Sequence, residues 1–306
     1  MSPPDESIPW AYLNGRWVPA HAASVPVWDA GFVLGTAVSE QLRTFGGRLF
    51  RWEAHWSRFE RSLMTVGIEL AEAADDISAA ALRLVAHNLR LLPEGSELGL
   101  GLFATPGSFA AMAPEAASAP MLGLHTWRLP VERWSEKYHA GEHLVVTPVR
   151  QVPADCWPRH IKCRSRMHYY LADQAAHQQQ AGARALLLDQ KDQVCETASA
   201  NVLAYRASEG LVSPPRGQIL PGITLEVLFE LAAALGLACV ERPLTLDELF
   251  AADEVMLTST PSGLLPVTRI DERAIGSGVP GPVYQALLAA FSRLVGIDLA
   301  AEGKSG

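Results

Sequence analysis

Short strand patterns closed by tight-turn residues alternate with helix-period apolar stripes along the whole chain, and this alternation restricts the fold more than any other feature. "AYLNGRWVPA" reads as two strands around Asn14-Gly15, and "SEQLRTFGGRLFRW" repeats the pattern around Gly46-Gly47. Trp52, Trp56, Phe59, Leu63 and Val66 then recur at steps of three and four, which predicts a helix. A second helix is expected over about 76–91. "ELGLGLFATPG" and "APMLGLHTW" read as strands joined by the small-residue loop "SFAAMAPEAAS". After a polar, aperiodic stretch the alternation resumes, with a strand "EHLVVTPVR", a helix from Cys163 to Gln180 and successive strands in "ARALLLDQKDQVCETASANVLAYR". A helix in the 220s, a strand "DEVMLTST" and a helix over about 283–295 complete the series. The expected class is α/β or α+β in two domains: 1–127, a linker over 128–140, and 141–306.

The charge balance narrows the partners. The 306 residues carry a formal net charge of −8, with no dense Lys/Arg cluster, which disfavours nucleic acid. No run reaches the roughly 18 apolar residues of a membrane span, and "MSPPDESIPW" lacks the apolar region of a signal peptide. Cys156, Cys163, Cys195 and Cys239 form no close pair, so no metal knuckle or disulfide framework is expected; reduced thiols suit a cytoplasmic setting.

Several places can carry chemistry. The loop "SPPRGQILPGITL" opens onto an apolar helix pattern at Val227, Leu228, Leu231 and Leu235. The first N–H groups of a helix lack partners within it and suit an anion, although such a junction is also an ordinary one. Lys162, in "RHIKCRSRM", stands between a strand pattern and a helix with Arg159, Arg164 and Arg166 nearby. Neighbouring cations lower a lysine pKa and favour a nucleophilic amine; the plain alternative is a surface charge. Glu196, in "VCETASANVL", is a lone carboxylate at a strand end, suited to a protonated ring nitrogen or to a turn, and Asn201 can brace that loop. His55, Arg58 and Ser62 flank the apolar stripe of their helix, where an arginine fork can reach a phosphate or lie on the edge of the core. Thr258, Ser259, Thr260 and Ser262, in "LTSTPSGLLPV", supply hydroxyls for an anion nest or simply for a turn.

In this order, "HWSR", a lysine, "ETASAN", "LPGIT" and "TSTPSGLLPV" resemble the class IV aminotransferases, the fold-type IV enzymes that use pyridoxal 5'-phosphate (PLP). The resemblance runs from about residue 12 to 299. It implies two α/β domains with the cofactor in the cleft between them, usually in a homodimer. It implies that Lys162 forms the Schiff base and shuttles the proton, and that Glu196 pairs with the pyridine nitrogen. Ile223 and Thr224 would receive the phosphate on their backbone N–H groups, with Arg58, Thr260 and Ser259 as further cofactor contacts. The implied partners are an amino donor and a 2-oxo acid acceptor. A lyase of the aminodeoxychorismate type, releasing pyruvate, and a PLP-binding protein without catalysis stand as alternatives.

The departures concern substrate. Leu34 and Ser39 replace bulkier family residues, and Thr105-Pro106-Gly107 lacks the carboxylate-binding arginine of the D-amino-acid enzymes. Met167 stands where branched-chain enzymes often have a tyrosine. Arg164, Arg166, Pro261 and Ser262 are the remaining candidates for substrate contact.

Overall fold

The computed structural model describes residues 5–114 and 119–302. Residues 115–118, part of the expected small-residue loop, and residues 1–4, part of the segment read for a signal peptide, lie outside the described residues. The chain forms two compact units, Met1–Leu129 with Ile161–Ser165, and Pro130–His160 with Arg166–Gly306.

The first unit is built on a six-stranded antiparallel sheet. Its strands are β1 (Trp10–Leu13), β2 (Arg16–Pro19), β3 (Val38–Phe45), β4 (Arg48–Leu49), β5 (Leu98–Thr105) and β6 (Met121–Arg128), in the order β2-β1-β6-β5-β3-β4. The β1–β2 turn has both Asn14 and Gly15 at positive φ, as a two-residue hairpin requires. Three helices accompany the sheet: α1 (Ala30–Val33), α2 (Trp52–Val66) and α3 (Ala74–Arg90). Val38 and Leu42 of β3, Leu98, Leu100 and Leu102 of β5, and Leu122 and Leu124 of β6 alternate toward one face. They bury against Phe59 and Leu63 of α2 and Ile77, Ala81 and Leu84 of α3. On the other face Gly99 and Gly101 make room for the rings of Trp127 and His125, which a Cβ would strike. Those two glycines therefore serve packing within a strand.

The second unit contains α4 (Glu132–Ser135), α5 (Lys137–Ala140), β7 (Glu142–Val146), α6 (Met167–Gln179), β8 (Arg184–Leu188), β9 (Val194–Thr197), β10 (Asn201–Arg206) and β11 (Gly210–Ser213). It continues with α7 (Ile223–Ala234), β12 (Cys239–Glu241), α8 (Leu246–Phe250), β13 (Glu254–Ser259), β14 (Gly263–Ile270), β15 (Arg273–Ala274) and α9 (Pro282–Val295). The sheet runs β12-β11-β10-β13-β14-β7-β8-β9, and β9 pairs back onto β10, so six of its strands close a ring. The pair that closes it is Glu196 opposite Asn201. Residues 132–140, placed in a linker by the sequence, form α4 and α5 of this unit, with Tyr138 buried.

One helix boundary differs from expectation. The helix predicted from Cys163 begins at Met167. Residues 162–164 instead lie extended along β3: Ser39 N–H donates to Lys162 O (2.8 Å), Arg164 N–H donates to Ala37 O (2.8 Å), and Cys163 bridges Val38. Strand pairing has taken the backbone groups that a first helical turn would need.

Candidate active site

In the first unit, Lys162 is positioned through its backbone. Besides the bond to β3, its N–H donates to Ser62 Oγ (3.3 Å), and Ser62 in turn donates to Arg58 O (3.1 Å). The lysine is half-buried. One turn of α2 therefore holds both Arg58 and the segment that carries the lysine.

Arg58 is not a solvent-facing residue: it is only 3% exposed and is buried on α2 with His55 and Ser62, beside Phe59 and Leu63 of the apolar stripe. Its Nε donates to Glu40 Oε2 (2.9 Å) and its Nη2 to Glu40 Oε1 (2.7 Å), a bidentate pair. His55 Nδ1 lies 3.0 Å from Glu40 Oε1. Burial alone would raise the Glu40 carboxyl, but the charges of Arg58 and His55 and their hydrogen bonds hold it far below the usual carboxylate range. His55 is pushed down, first by burial and further by the Arg58 and Lys162 charges, with Glu40 opposing. Sequence reasoning missed Glu40. The available signal was its parity: it falls between Val38 and Leu42, on the inward face of an otherwise apolar strand.

In the second unit, Glu196 lies in β9, one residue before its end, and is 5% exposed. Its Oε1 accepts from Gln151 Nε2 (2.8 Å) and Tyr169 Oη (2.8 Å). Its Oε2 accepts from Asn201 Nδ2 (3.2 Å) and Leu220 N–H (3.2 Å). Bonds donated to a carboxylate favour its charged form. Asn201 Nδ2 also donates to Leu220 O (2.9 Å), so the amide ties the carboxylate to the "ILPG" loop. That loop opens α7 with Gly222 at the N-cap and no side-chain cap. Ile223 and Thr224 are buried in its first turn. A Cβ at Gly222 would overlap Asn201 Oδ1, which explains the glycine.

Strand register extends this arrangement. Asn201 of β10 is opposite both Glu196 of β9 and Thr258 of β13, and residues opposite one another share a face. Thr258 Oγ1 is buried and finds no partner among the described residues. The turn beyond it is organised by Ser259 and Ser262, whose hydroxyls are 2.8 Å apart, while Tyr138 Oη donates to Ser262 O (2.7 Å). Thr260 and Pro261 are half-buried within that turn.

The substrate candidates divide between the two units: Leu34, Ser39 and Arg164 in the first, Arg166, Pro261 and Ser262 in the second. Leu34 is 55% exposed, and Ser39 is buried. Arg164 is exposed, and its charge acts on His125. Arg166 donates to Ala198 O and lies 4.6 Å from the Tyr169 ring centroid, so its guanidinium is used within the protein. Met167 is exposed.

The donor set of the second unit fits PLP. An uncapped helix start suits the phosphate, a buried hydroxyl has no partner among the described residues, and a buried carboxylate that accepts bonds on both oxygens suits a protonated ring nitrogen. The described residues include no cluster of metal-ligating side chains and no helix long and apolar enough to cross a membrane.

Comparison with known proteins agrees. Residues 37–270 match the model of the amino-transferase class IV family. A D-alanine aminotransferase of Bacillus licheniformis is 30% identical over 285 residues, covering 92% of this chain and 96% of that protein. A putative branched-chain-amino-acid aminotransferase of Methanocaldococcus jannaschii is 29% identical over 283 residues, covering 92% and 94%. Among solved structures, a T.th. branched-chain amino acid aminotransferase with pyridoxamine 5'-phosphate superposes with a TM-score of 0.84 at 26% identity, over 94% of this chain and 95% of that one. An Escherichia coli branched-chain enzyme shares the fold at a TM-score of 0.86 and 22% identity, over 98% of each chain. The chain belongs to the class IV aminotransferases, a family of PLP-dependent enzymes.

Proposed function

We propose that this aminotransferase moves an amino group between an amino acid and a 2-oxo acid, with Lys162 and Glu196 as its two catalytic residues. The observation that carries the reading is the Glu196 carboxylate, buried yet supplied with four donors and tied by Asn201 to the loop that opens α7. When bound, PLP supplies the electron sink for the carbon losing its proton. Glu196 keeps its charge and accepts the ring N–H. Lys162 Nζ anchors the cofactor, takes the substrate proton and returns it. The N–H groups of Ile223 and Thr224 hold the phosphate, with Thr260, Ser259 and Arg58 as supporting contacts. Absence of an arginine at Pro106 argues against the carboxylate clamp of the D-amino-acid enzymes, so the D-alanine specificity of one relative is not carried over. The protein acts as a cytoplasmic homodimer in this proposal.

The test is to reconstitute the protein with PLP, reduce it with borohydride, and map the modified peptide. Modification at Lys162 is expected, and Lys162→Ala should abolish both it and the amino transfer from a panel of donors to pyruvate or 2-oxoglutarate. Modification elsewhere, or none, overturns the assignment. Stoichiometric release of pyruvate without a transferred amino group would turn the reading toward the lyase.

A further inference from the structure

Glu196 Oε1 belongs to a closed ring of three hydrogen bonds. Gln151 Nε2 donates both to Tyr169 Oη (2.9 Å) and to Glu196 Oε1 (2.8 Å), and Tyr169 Oη is 2.8 Å from the same carboxylate oxygen. The directions follow from chemistry. An amide nitrogen only donates, so the phenol accepts from Gln151 and must send its own hydrogen to Glu196. The amide is prevented from turning because Gln151 Oε1 accepts the Val152 N–H (2.9 Å), which fixes its oxygen and nitrogen. Gln151 is 1% exposed, and its backbone N–H is bonded to Leu188 O (2.9 Å). The Tyr169 ring is held in place by Arg166, at 4.6 Å, and by the His168 ring, at 3.9 Å between centroids. Burial first, and then the Glu196 charge, push the phenol well above its ordinary value, which favours its protonated, donating form. By contrast, the two bonds to Glu196 Oε2 are both 3.2 Å long.

We infer that Tyr169 and Gln151 are positioning residues that fix Glu196 Oε1 as a charged acceptor and leave Oε2 to receive the cofactor's ring N–H. The inference rests on the proposed pairing of Glu196 with that nitrogen. A merely structural tie among these three segments would not need polar groups this deep, since apolar contacts join buried elements without the cost of desolvating an anion. The electronic consequence is specific. Removing the phenol hydroxyl takes one donor from Oε1 and makes the charged carboxylate less favourable, so the ring nitrogen is less firmly protonated.

The experiment compares Tyr169→Phe, Gln151→Leu and Glu196→Gln with the unaltered holoenzyme. The readouts are the visible spectrum of bound PLP as a function of pH, the affinity of apo-protein for PLP, and kcat and KM separately. Tyr169→Phe should shift the spectral pH profile in the direction of Glu196→Gln but by less. It should lower kcat by about ten- to a hundredfold, the scale of one hydrogen bond to a charged group, with KM little changed. Should Tyr169→Phe fail to fold, Gln151→Leu carries the same expectation from a separate segment. Spectra and kcat like the unaltered enzyme in whichever of these two folds, beside a perturbed Glu196→Gln, overturn the positioning role. An unperturbed Glu196→Gln overturns instead the reading on which it rests.

Discussion

Glu40 and Arg58 show what a charge costs when it is folded inside. Both are almost fully buried, at 1% and 3% exposure, and each satisfies the other in two bonds. Removing one partner from such a pair leaves an uncompensated buried charge, at about 3–5 kcal/mol, whereas replacing both by apolar side chains is often neutral. Glu40→Gln should therefore lower the unfolding free energy by about 3 kcal/mol in urea titrations of the apo-protein. Glu40→Leu with Arg58→Met should recover most of that loss. A Glu40→Gln midpoint equal to that of the unaltered protein would show that the pair does not hold α2 on β3. The double replacement also separates two roles of Arg58: if it folds normally but binds PLP more weakly, the arginine contributes to the cofactor beyond its pairing with Glu40. The sequence marked Arg58 through its motif, whereas Glu40 offered only its inward parity and nothing that paired it with Arg58. An amphipathic wheel shows which residues face inward, not which residue of a distant strand meets them. Gln151 and Tyr169 were hidden for the same reason, lying 45 and 27 residues from the carboxylate they bond, with no local period to link them.

At the scale of elements, the most legible feature was the start of α7. Apolar residues recur there at helical spacing after a Pro-Gly step, and the helix expected in the 220s begins at Ile223, directly after that step. The least legible was the segment around Lys162. Its composition permits a helix, and only pairing with β3, remote in the chain, makes it extended. The sequence also did not reveal why residue 222 is glycine. Its φ is −75°, which any residue adopts, so the reason is space: Asn201 packs where a Cβ would be. Gly222→Ala should force the Asn201 amide aside and break its bonds to Glu196 and Leu220. Overpacking of this kind costs about 1–3 kcal/mol. The expected result is a lower melting temperature and an affinity for PLP weakened by about tenfold, the scale of one lost hydrogen bond at such a site. Unchanged PLP titration of this variant would mean that Asn201 does not couple the loop to the carboxylate.

Across the whole molecule, histidines held below their ordinary pKa contribute to the response to acid. The His168 pKa is lowered to about 4, first by burial and then by the charges of Arg159 and Arg166, and its Nε2 has no partner among the described residues. His55 and His125 are lowered as well, both chiefly by burial. For a group whose folded pKa lies below its unfolded value, the unfolded chain binds more protons in the interval between them, so stability rises with pH there. These histidines favour the folded state above the ordinary value of 6.5 and cease to do so as pH falls toward about 4. Glu40 has the same sign but acts later, its contribution starting to fade only below the ordinary carboxyl value of 4.5. Melting temperature should therefore fall progressively between pH 6.5 and about 4. His168→Phe, which keeps a ring against Tyr169, should flatten that slope. A slope unchanged by the substitution would assign the acid response to other groups.

The lysine segment has a consequence for the order in which the protein is made. Ser165 bonds to Gly35, 130 residues earlier in the chain, and its neighbours cover the outer edge of β3 at Val38. On a ribosome, the strands and helices of residues 10–128 emerge, and can pack, well before that cover exists. During that interval the backbone hydrogen-bonding groups of Ala37 and Ser39 face water, an open strand edge of the kind that invites pairing with another chain. The nascent first unit thus waits, partly unprotected, for residues 162–164, whose arrival closes that edge.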